Sequence, residues 1–175
     1  VVVSPGAPLG PGDRSLTPPS RMLLGFLNGR FPAYLDGWLS LVDVRDVAEG
    51  HLLAAEAGRP GARYVLAGPD VRLGELLRRL ERLTGVSMPR LRVPPWVALA
   101  GARVSELVAD HVTGRSPEAT VPGVRIALAP ARDDLGSRGP DALGLDLRAL
   151  EETIADAVRW FAGEGMLERE VAGAP

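Results

Sequence analysis

The chain has 175 residues, of which 46% are hydrophobic and 24% are charged, and its formal net charge is −2. This length suits one compact domain or one lobe of a larger one, and the composition excludes a disordered or fibrous protein. The 20 basic and 22 acidic residues are mixed along the chain. Because they form no basic stripe, the sequence does not favour a nucleic-acid or lipid-headgroup partner.

Two residue types are missing from the sequence, and each absence excludes a class of chemistry. Without cysteine, disulfides and thiolate metal sites are excluded. The sequence also holds no lysine, since its basic side chains are arginines and two histidines. It therefore cannot form a lysine Schiff base, a Walker-type phosphate site or a Tyr-x-x-x-Lys pair.

The apolar stretches of the chain are short. The longest lies around residues 96–102, far below the roughly 20 residues that a membrane span requires. Pro5 and Gly6 interrupt the apolar start of the chain. We therefore expect no membrane span and no signal peptide, and a cytoplasmic protein.

The first predicted element is a strand at Val1-Val2-Val3, a β-branched run typical of a strand buried on both faces of a parallel sheet. Five prolines and three glycines between residues 4 and 19 then predict a long loop without regular structure. Thr17, as an N-cap before two prolines, predicts a helix over residues 18–28 that Gly29 ends.

Two short strands are expected next, at residues 33–35 and 39–44. A helix should follow from Arg45, with Asp43 as its cap and Asp46 in its first turn, and Gly58 should end it. Its predicted apolar face consists of Val47, Ala48, Leu52 and Ala55.

The rest of the chain continues the alternation of strands and helices. Further strands are predicted at residues 63–67 and 91–93, and further helices at 73–84, from 94 to about 112, near 120–122 and at 147–162. The third predicted helix should bury Leu73, Leu76, Leu77, Leu80 and Leu83, and the last should bury Leu150, Ile154, Ala157, Val158 and Phe161. This alternation indicates α/β construction.

Four segments, in this order and spacing, carry a resemblance to a known family. They are Val1-Val2-Val3-Ser4-Pro5 with Gly10-Pro11-Gly12-Asp13; residues 41–51, with their Val-Asp-Val-Arg-Asp-Val-Ala core; residues 63–68 with the helix to Gly85; and Ser137-Arg138, Leu143-Gly144 and Ala155-x-Ala157-Val158-x-Trp160-Phe161. Together they resemble the second half of extended short-chain dehydrogenases/reductases of the NAD-dependent epimerase/dehydratase type. Residues 28–34 are similar to the branch of dihydroflavonol-reductase-like proteins and hopanoid-associated sugar epimerases.

The resemblance implies a particular fold and a division of labour. Residues 1–175 would form the C-terminal part of a Rossmann-type fold, with the last sheet strands and a small substrate-binding lobe. In this family the N-terminal part binds NAD or NADP through a glycine-rich turn and carries the Tyr-x-x-x-Lys catalytic pair. Neither motif is in this sequence, and Gly6, Gly10 and Gly12 are better explained as parts of a plain loop.

The resemblance also implies candidate site residues. Ser4 and Pro5 end the first strand. In relatives the backbone at this position runs past the nicotinamide ring, and the polar residue faces the substrate. An ordinary turn at the end of the strand is the alternative interpretation. Arg21 is a candidate contact to a hydroxyl-rich or anionic substrate, although a solvated arginine explains it as well. No catalytic residue is assigned.

A second group of candidates lies further along the chain. Residues Ala33, Tyr34 and Leu35 lie on a strand that lines the substrate pocket in relatives, and core packing is the competing explanation for Tyr34. Arg92 is a further candidate for substrate contact. The expected substrate is sugar-like or flavonoid-like.

Several polar residues are better explained as scaffold. Relatives usually carry histidine at the position of Asp43 and aspartate at that of Arg45, while Asp46 matches and should cap or charge a helix start. His51 and His111 lack partners at metal-ligand spacing, and the pair Asp133-Asp134 lacks further ligands. We therefore expect no metal site.

Two functional hypotheses remain open from the sequence. In the first, the chain is the substrate-binding half of a NAD(P)-dependent epimerase, dehydratase or carbonyl reductase, and it needs a dinucleotide-binding half to act. That hypothesis predicts an exposed sheet edge at Val1 and an uncovered apolar face. In the second, the chain is a stand-alone, non-catalytic module that binds a ligand or a partner chain.

Overall fold

The computed structural model describes residues 1–108, 121–129 and 139–168. Its strands are β1 (Val2–Pro5), β2 (Ala7–Leu9), β3 (Ala33–Tyr34), β4 (Trp38–Asp43), β5 (Arg63–Leu66), β6 (Asp70–Arg72) and β7 (Leu91–Arg92). Its helices are α1 (Pro18–Leu27), α2 (Val44–Ala57), α3 (Leu73–Thr84), α4 (Pro95–Val108), α5 (Val121–Leu128), α6 (Gly139–Leu143) and α7 (Leu150–Gly163). This order confirms the predicted α/β construction.

The strands pair in three groups. Strand β1 runs parallel to β5, with Val3 opposite Tyr64. Strand β4 lies between β2, which is parallel to it, and β6, which is antiparallel. Strands β3 and β7 form a separate parallel pair. The predicted positions outside the described residues are His111, Thr120, Asp133, Asp134, Ser137 and Arg138.

The predicted irregular loop after the first strand is partly wrong. Strand β1 extends to Pro5, and β2 follows directly at Ala7–Leu9. Its central residue, Pro8, has no backbone N–H to donate. Among the described strands β2 pairs with β4 alone, and proline is tolerated in such an edge strand.

The first strand is also less buried than its sequence suggests. Val1 is 54% exposed and Val2 is 48% exposed, although β-branched runs of this kind are typical of buried strands. Within the described part of the chain, β1 has a neighbour on one edge, β5. Among the described strands, the other edge of β1 therefore has no partner, and the side chains at its start are about half exposed.

Helix α2 buries a different face from the predicted one. Ala48 and Ala55 are exposed, and Leu52 is 66% exposed. The buried residues of α2 are Asp46, Gly50 and Ala54. The helix is turned in this direction because Asp46 bonds to Arg148 inside the protein and because Leu66 packs directly against Gly50.

The ends of three helices agree with the predictions only in part. Thr17 precedes α1, but its hydroxyl donates to Asp13 Oδ2 at 2.5 Å and does not cap the helix. Gly85 ends α3 with a φ of 69°, the left-handed conformation that glycine favours at this position. Helix α7 begins at Leu150, later than predicted, and Leu150 is half-buried, whereas the other four predicted residues are buried.

The prediction that α3 buries Leu83 is wrong. Leu83 is 38% exposed, and Thr84 is buried in its place. The Thr84 hydroxyl donates to the Leu80 carbonyl and accepts from the Val86 amide, so its polar atom is satisfied inside the protein.

The main core lies where α1, α3 and α7 meet the β2–β4–β6 sheet. Its buried residues include Leu9, Leu23, Phe26, Leu27, Leu41, Leu76, Leu77, Leu80, Ile154 and Phe161. The chain continues past α7 along this core. There the Asn28 side chain donates to the Met166 carbonyl and accepts from the Glu168 amide, which ties residues 166–168 to the end of α1.

We expect Gly50→Ala to destabilise the protein by about 1–3 kcal/mol, because its β-carbon would lie 2.4 Å from Leu66 Cδ1 in a packed site. Urea denaturation measures the free energy of unfolding. The control is Gly101→Ala on the exposed face of α4, where no atom lies within 4 Å of the added carbon. That variant should gain up to about 1 kcal/mol from helix propensity. Equal effects would contradict the packing described for α2.

Candidate functional site

An apolar cavity of about 290 Å³ lies between α1, β3, β4, the start of α3 and α5. Its described lining residues are Met22, Phe26, Phe31, Ala33, Tyr34, Leu35, Gly37, Trp38, Leu39, Leu73 and Ala127. None of these side chains is charged. A concave, mostly apolar pocket is a common form of a small-molecule site.

The aromatic wall of the cavity is built around a glycine. Phe31 is 42% exposed, and its ring lies edge-on to Phe26 with centroids 5.1 Å apart. A β-carbon at Gly25 would lie 2.1 Å from Phe31 Cε2, so the ring occupies the space that glycine leaves on α1. The position of Phe31 is therefore fixed by packing although the ring faces solvent on one side.

Tyr34 lies between the apolar cavity and a polar group of side chains. Its ring is buried and its Oη accepts a hydrogen bond of 3.0 Å from Arg92 Nε. Arg92 also lies 3.5 Å from Asp36 Oδ2. The other oxygen of Asp36 accepts from the backbone amide of Gly74 at 2.9 Å, at the start of α3. This network fixes the position of the Tyr34 hydroxyl through its bond to Arg92.

A smaller polar pocket of about 150 Å³ lies on the far side of Tyr34. Arg78, Arg90, Arg92 and Glu81 contribute charged side chains to it. Arg90 pairs with Glu81 at 2.9 Å. Tyr34 thus borders both an apolar and a charged pocket.

The structure brings together some of the predicted site residues. Ala33, Tyr34 and Leu35 line the apolar cavity, and Arg92 contacts Tyr34 from the polar side. Arg21 is exposed on α1 and is not among the described lining residues; its neighbour Met22 is.

Ser4 and Pro5 lie at the carboxyl end of β1, opposite Val65 and Leu66 of β5. Neither residue is among the described residues that line the cavity. A β-carbon at Gly6 would lie 2.7 Å from the Ser40 carbonyl oxygen, so the chain after Pro5 packs closely against β4. Leu39, which lines the cavity, directly precedes Ser40 in the sequence.

Sequence reasoning missed most of the aromatic lining. Met22 and Phe26 are four residues apart on α1, a spacing that places two side chains on one helix face. That spacing predicts a shared helix face, but it does not tell whether this face packs in the core or lines a cavity. Nothing local in the sequence links Phe31 or Trp38 to the same site, because they meet only through the packing of α1 against β3 and β4.

A network of buried charges joins the end of β4 to α7. Asp43 caps α2 by accepting from the Arg45 amide at 2.8 Å, as predicted. The same carboxylate accepts from Arg45 Nε at 2.9 Å, Arg45 Nη2 at 2.7 Å and the Thr153 hydroxyl at 3.0 Å. Arg45 in turn lies 2.7 Å from Asp156 on α7.

Asp46 lies in the first turn of α2, as predicted, and it also bonds to a distant part of the chain. Its carboxylate is fully buried and accepts from the Arg148 amide at 2.8 Å and from the Arg148 guanidinium. Asp43 and Asp46 therefore tie the start of α2 to the segment that leads into α7. These contacts support the prediction that both aspartates are scaffold.

The described residues bring no group of three or more histidine, aspartate or glutamate side chains into a metal-binding arrangement. His51 is exposed, and its Nδ1 lies 2.7 Å from the Val47 carbonyl oxygen on its own helix. None of the helices in the described ranges has the length and apolar character of a membrane span.

The glycines at the start of the chain do not form a dinucleotide cradle. Gly6 lies between β1 and β2, and a β-carbon at Gly10 would lie 2.7 Å from Val44 Cγ1. A pyrophosphate site of the Rossmann type requires such a turn to open directly into a helix. Here a strand and a loop follow, so these residues do not fit NAD(P) pyrophosphate by themselves.

The environment of Asp43 makes stability depend on pH. Burial alone would raise the pKa of Asp43, but the hydrogen bonds from Arg45 and Thr153 outweigh it and hold the pKa below its usual value. A carboxyl with a lowered pKa stabilises the fold above its unfolded pKa of about 3.9, and this contribution is lost as the pH falls through the folded pKa.

We therefore expect Asp43→Asn to lower the free energy of unfolding by about 1–3 kcal/mol at pH 7. The difference from the unchanged protein should shrink below about pH 4, where the native carboxyl becomes protonated. Urea titrations between pH 3 and pH 7 measure it. The exposed Asp146 provides the control, since Asp146→Asn should stay within about 0.5 kcal/mol at every pH. A pH-independent loss at Asp43 would refute the electrostatic explanation.

Comparison with known proteins identifies the family. No family model matches the chain. A Synechocystis sp. protein named after dihydroflavonol 4-reductase is 37% identical over 174 residues, which cover 97% of this chain and 50% of that protein. The chain spans about half the length of the curated relatives that match almost all of it.

Two solved structures extend the comparison to the fold. The crystal structure of gox2253 is 33% identical with a TM-score of 0.75, covering 95% of this chain and 50% of that one. The structure of PA4631, a nucleoside-diphosphate-sugar epimerase from Pseudomonas aeruginosa, is 26% identical with a TM-score of 0.66, covering 95% and 49%. The chain therefore belongs to the extended short-chain dehydrogenases/reductases of the NAD-dependent epimerase/dehydratase type and corresponds to the C-terminal half of their fold.

Proposed function

We propose that residues 1–175 form a single substrate-binding portion of a NAD(P)-dependent reductase, epimerase or dehydratase, and that a separate stretch of polypeptide provides the dinucleotide-binding part. The observation that carries this proposal is that, among the described strands, β1 is paired on one edge alone, and that Val2 and the preceding Val1 are exposed. An apolar strand with an unpaired edge is a template for another strand. The half-length match to the relatives supports the same division.

The two parts would share the chemistry. The dinucleotide-binding part would supply the glycine-rich turn and the Tyr-x-x-x-Lys pair, since this sequence has no lysine. The carboxyl end of β1 would then border the nicotinamide end of the cofactor, with Ser4 and Pro5 nearest to it. Ligands of open α/β sheets bind beyond the carboxyl ends of the strands, which favours this position.

Substrate recognition would belong to the cavity beside β3. Ala33, Tyr34 and Leu35 would contact the substrate directly, and Arg92 would hold the Tyr34 hydroxyl in place. Arg21 would act from the exposed surface of α1 as an outer contact. With these roles we also expect the protein to act in the cytoplasm.

The alternative is a stand-alone binding module, which would need neither a second part nor a dinucleotide. The open strand edge and the half-length relatives do not favour it. The two hypotheses differ in what happens to NADH or NADPH when the chain meets a matching dinucleotide-binding half.

We expect isothermal calorimetry to detect no binding of NADH or NADPH to this chain alone. Binding should appear when the chain is mixed with the N-terminal half of the Synechocystis relative, because that half would carry the pyrophosphate site. Val2→Asp should weaken association of the two halves at least tenfold by placing a charge on the apolar strand. The control is Leu83→Asp on α3, a partly exposed leucine away from β1.

Failure of the halves to associate, or equal effects of Val2→Asp and Leu83→Asp, would contradict the proposal. Tight binding of NADH by the chain alone would also contradict it. Circular dichroism of each variant separates loss of association from loss of folding.

A further inference from the structure

We propose that Asn28 is a deamidation site and that the segment after α7, residues 164–168, protects it in the folded chain. Conversion of Asn28 to aspartate or isoaspartate then releases this segment from the core. Both effects follow from side chains and backbone of this chain alone, so neither depends on a second, dinucleotide-binding part.

The dipeptide Asn28-Gly29 has the sequence in which asparagine deamidates most readily. The nitrogen of Gly29 attacks Cγ of Asn28, and the new N–Cγ bond closes a succinimide ring. The Cγ–Nδ2 bond breaks, and Nδ2 leaves as ammonia with the proton of the Gly29 amide. Water then opens the ring at one of its two carbonyls and yields aspartate or isoaspartate. Glycine permits the attack because no β-carbon hinders its nitrogen.

Hydrogen bonds of the folded chain hold each group that this reaction moves. The leaving nitrogen, Asn28 Nδ2, donates to the Met166 carbonyl at 3.1 Å, and Oδ1 accepts from the Glu168 amide at 2.9 Å. The attacking nitrogen of Gly29 donates to the Phe26 carbonyl at 3.0 Å. Ring closure also requires rotation about the Cα–C bond of Asn28, away from its ψ of 1°. These bonds must therefore break before the ring can close.

The segment 164–168 is itself held in place by a turn and by packing. Gly165 has a φ of 67°, and the Met166 amide donates to the Phe161 carbonyl at 2.9 Å. The side chains of Met166 and Leu167 are partly buried against the core. The asparagine is therefore shielded only while this turn keeps its conformation.

Deamidation removes the contact that ties this segment to the end of α1. An aspartate at position 28 has an oxygen where Nδ2 stood, and a carboxylate oxygen cannot donate to the Met166 carbonyl. Isoaspartate also adds a methylene group to the backbone directly after α1. Release of the segment then exposes Met166 and Leu167, and water alone does not restore the amide.

Two glycines allow a matched test of the protection. Gly165 and Gly144 have φ values of 67° and 65°, and no described atom lies within 4 Å of an added β-carbon at either position. Valine at either position therefore strains a turn without crowding the core. Gly165 lies in the protecting segment, whereas Gly144 directly follows α6.

Incubation of the full chain in mildly alkaline buffer, followed by peptide mapping with mass spectrometry, measures the deamidation rate of Asn28. Gly165→Val should raise this rate about tenfold, because the left-handed conformation is costly for valine and the segment opens more often. Gly144→Val should leave the rate unchanged. The chain unfolded in guanidinium chloride gives the upper limit, and the native chain should deamidate more slowly than this limit.

The release is tested separately with Asn28→Asp, which carries the aspartate product. Hydrogen exchange followed by mass spectrometry should show about tenfold faster exchange in residues 164–168 of this variant, because one of their anchoring bonds is lost. Helix α3 serves as the internal reference, and its exchange should stay the same.

Equal acceleration by Gly165→Val and Gly144→Val would overturn the proposed protection. A native chain that deamidates at Asn28 as fast as the unfolded chain would overturn it as well. Unchanged exchange of residues 164–168 in Asn28→Asp would overturn the proposed release. Circular dichroism checks that each variant folds, and Gly165→Ala against Gly144→Ala gives the same comparison with less strain if the valine variants do not fold.

Discussion

The buried carboxylates of Asp43 and Asp46 are the constraint on which the rest of the structure depends. A buried charge is tolerated only when hydrogen bonds or an opposite charge replace the water it has lost. Here Arg45, Arg148 and Thr153 provide those bonds. Because two of these partners lie more than 100 residues along the chain, satisfying the carboxylates brings α7 against the end of β4.

Strand β4 transmits this constraint to the candidate site. Its carboxyl end carries Asp43, its centre packs against the turn after β1, and its amino end carries Trp38 and Leu39 of the cavity. A shift in the register of β4 would reverse the faces of its side chains, because alternate residues point to opposite sides of a strand. The charge network therefore indirectly fixes which side chains line the cavity.

The sequence was sufficient to predict the features that local chemistry determines. The cap at Asp43, the glycine that ends α3 and the strand containing Tyr34 could all be predicted from short patterns. The buried face of α2 could not be predicted in this way. Leu52 is apolar and therefore suggests a core position, but the bond between Asp46 and the distant Arg148 turns another face of the helix inward. The aromatic cavity was missed for the same reason, since its parts meet only in three dimensions.

The contact between Gly25 and Phe31 couples the side chains that these two positions can accept. A β-carbon at residue 25 is excluded while the ring at residue 31 keeps its place, and it becomes tolerable once that ring is small. The free energies of substitutions at the two positions should therefore not add. A substitution that enlarges residue 25 would therefore require a smaller side chain at residue 31. Fewer single substitutions can then change the shape of this cavity and its ligand preference.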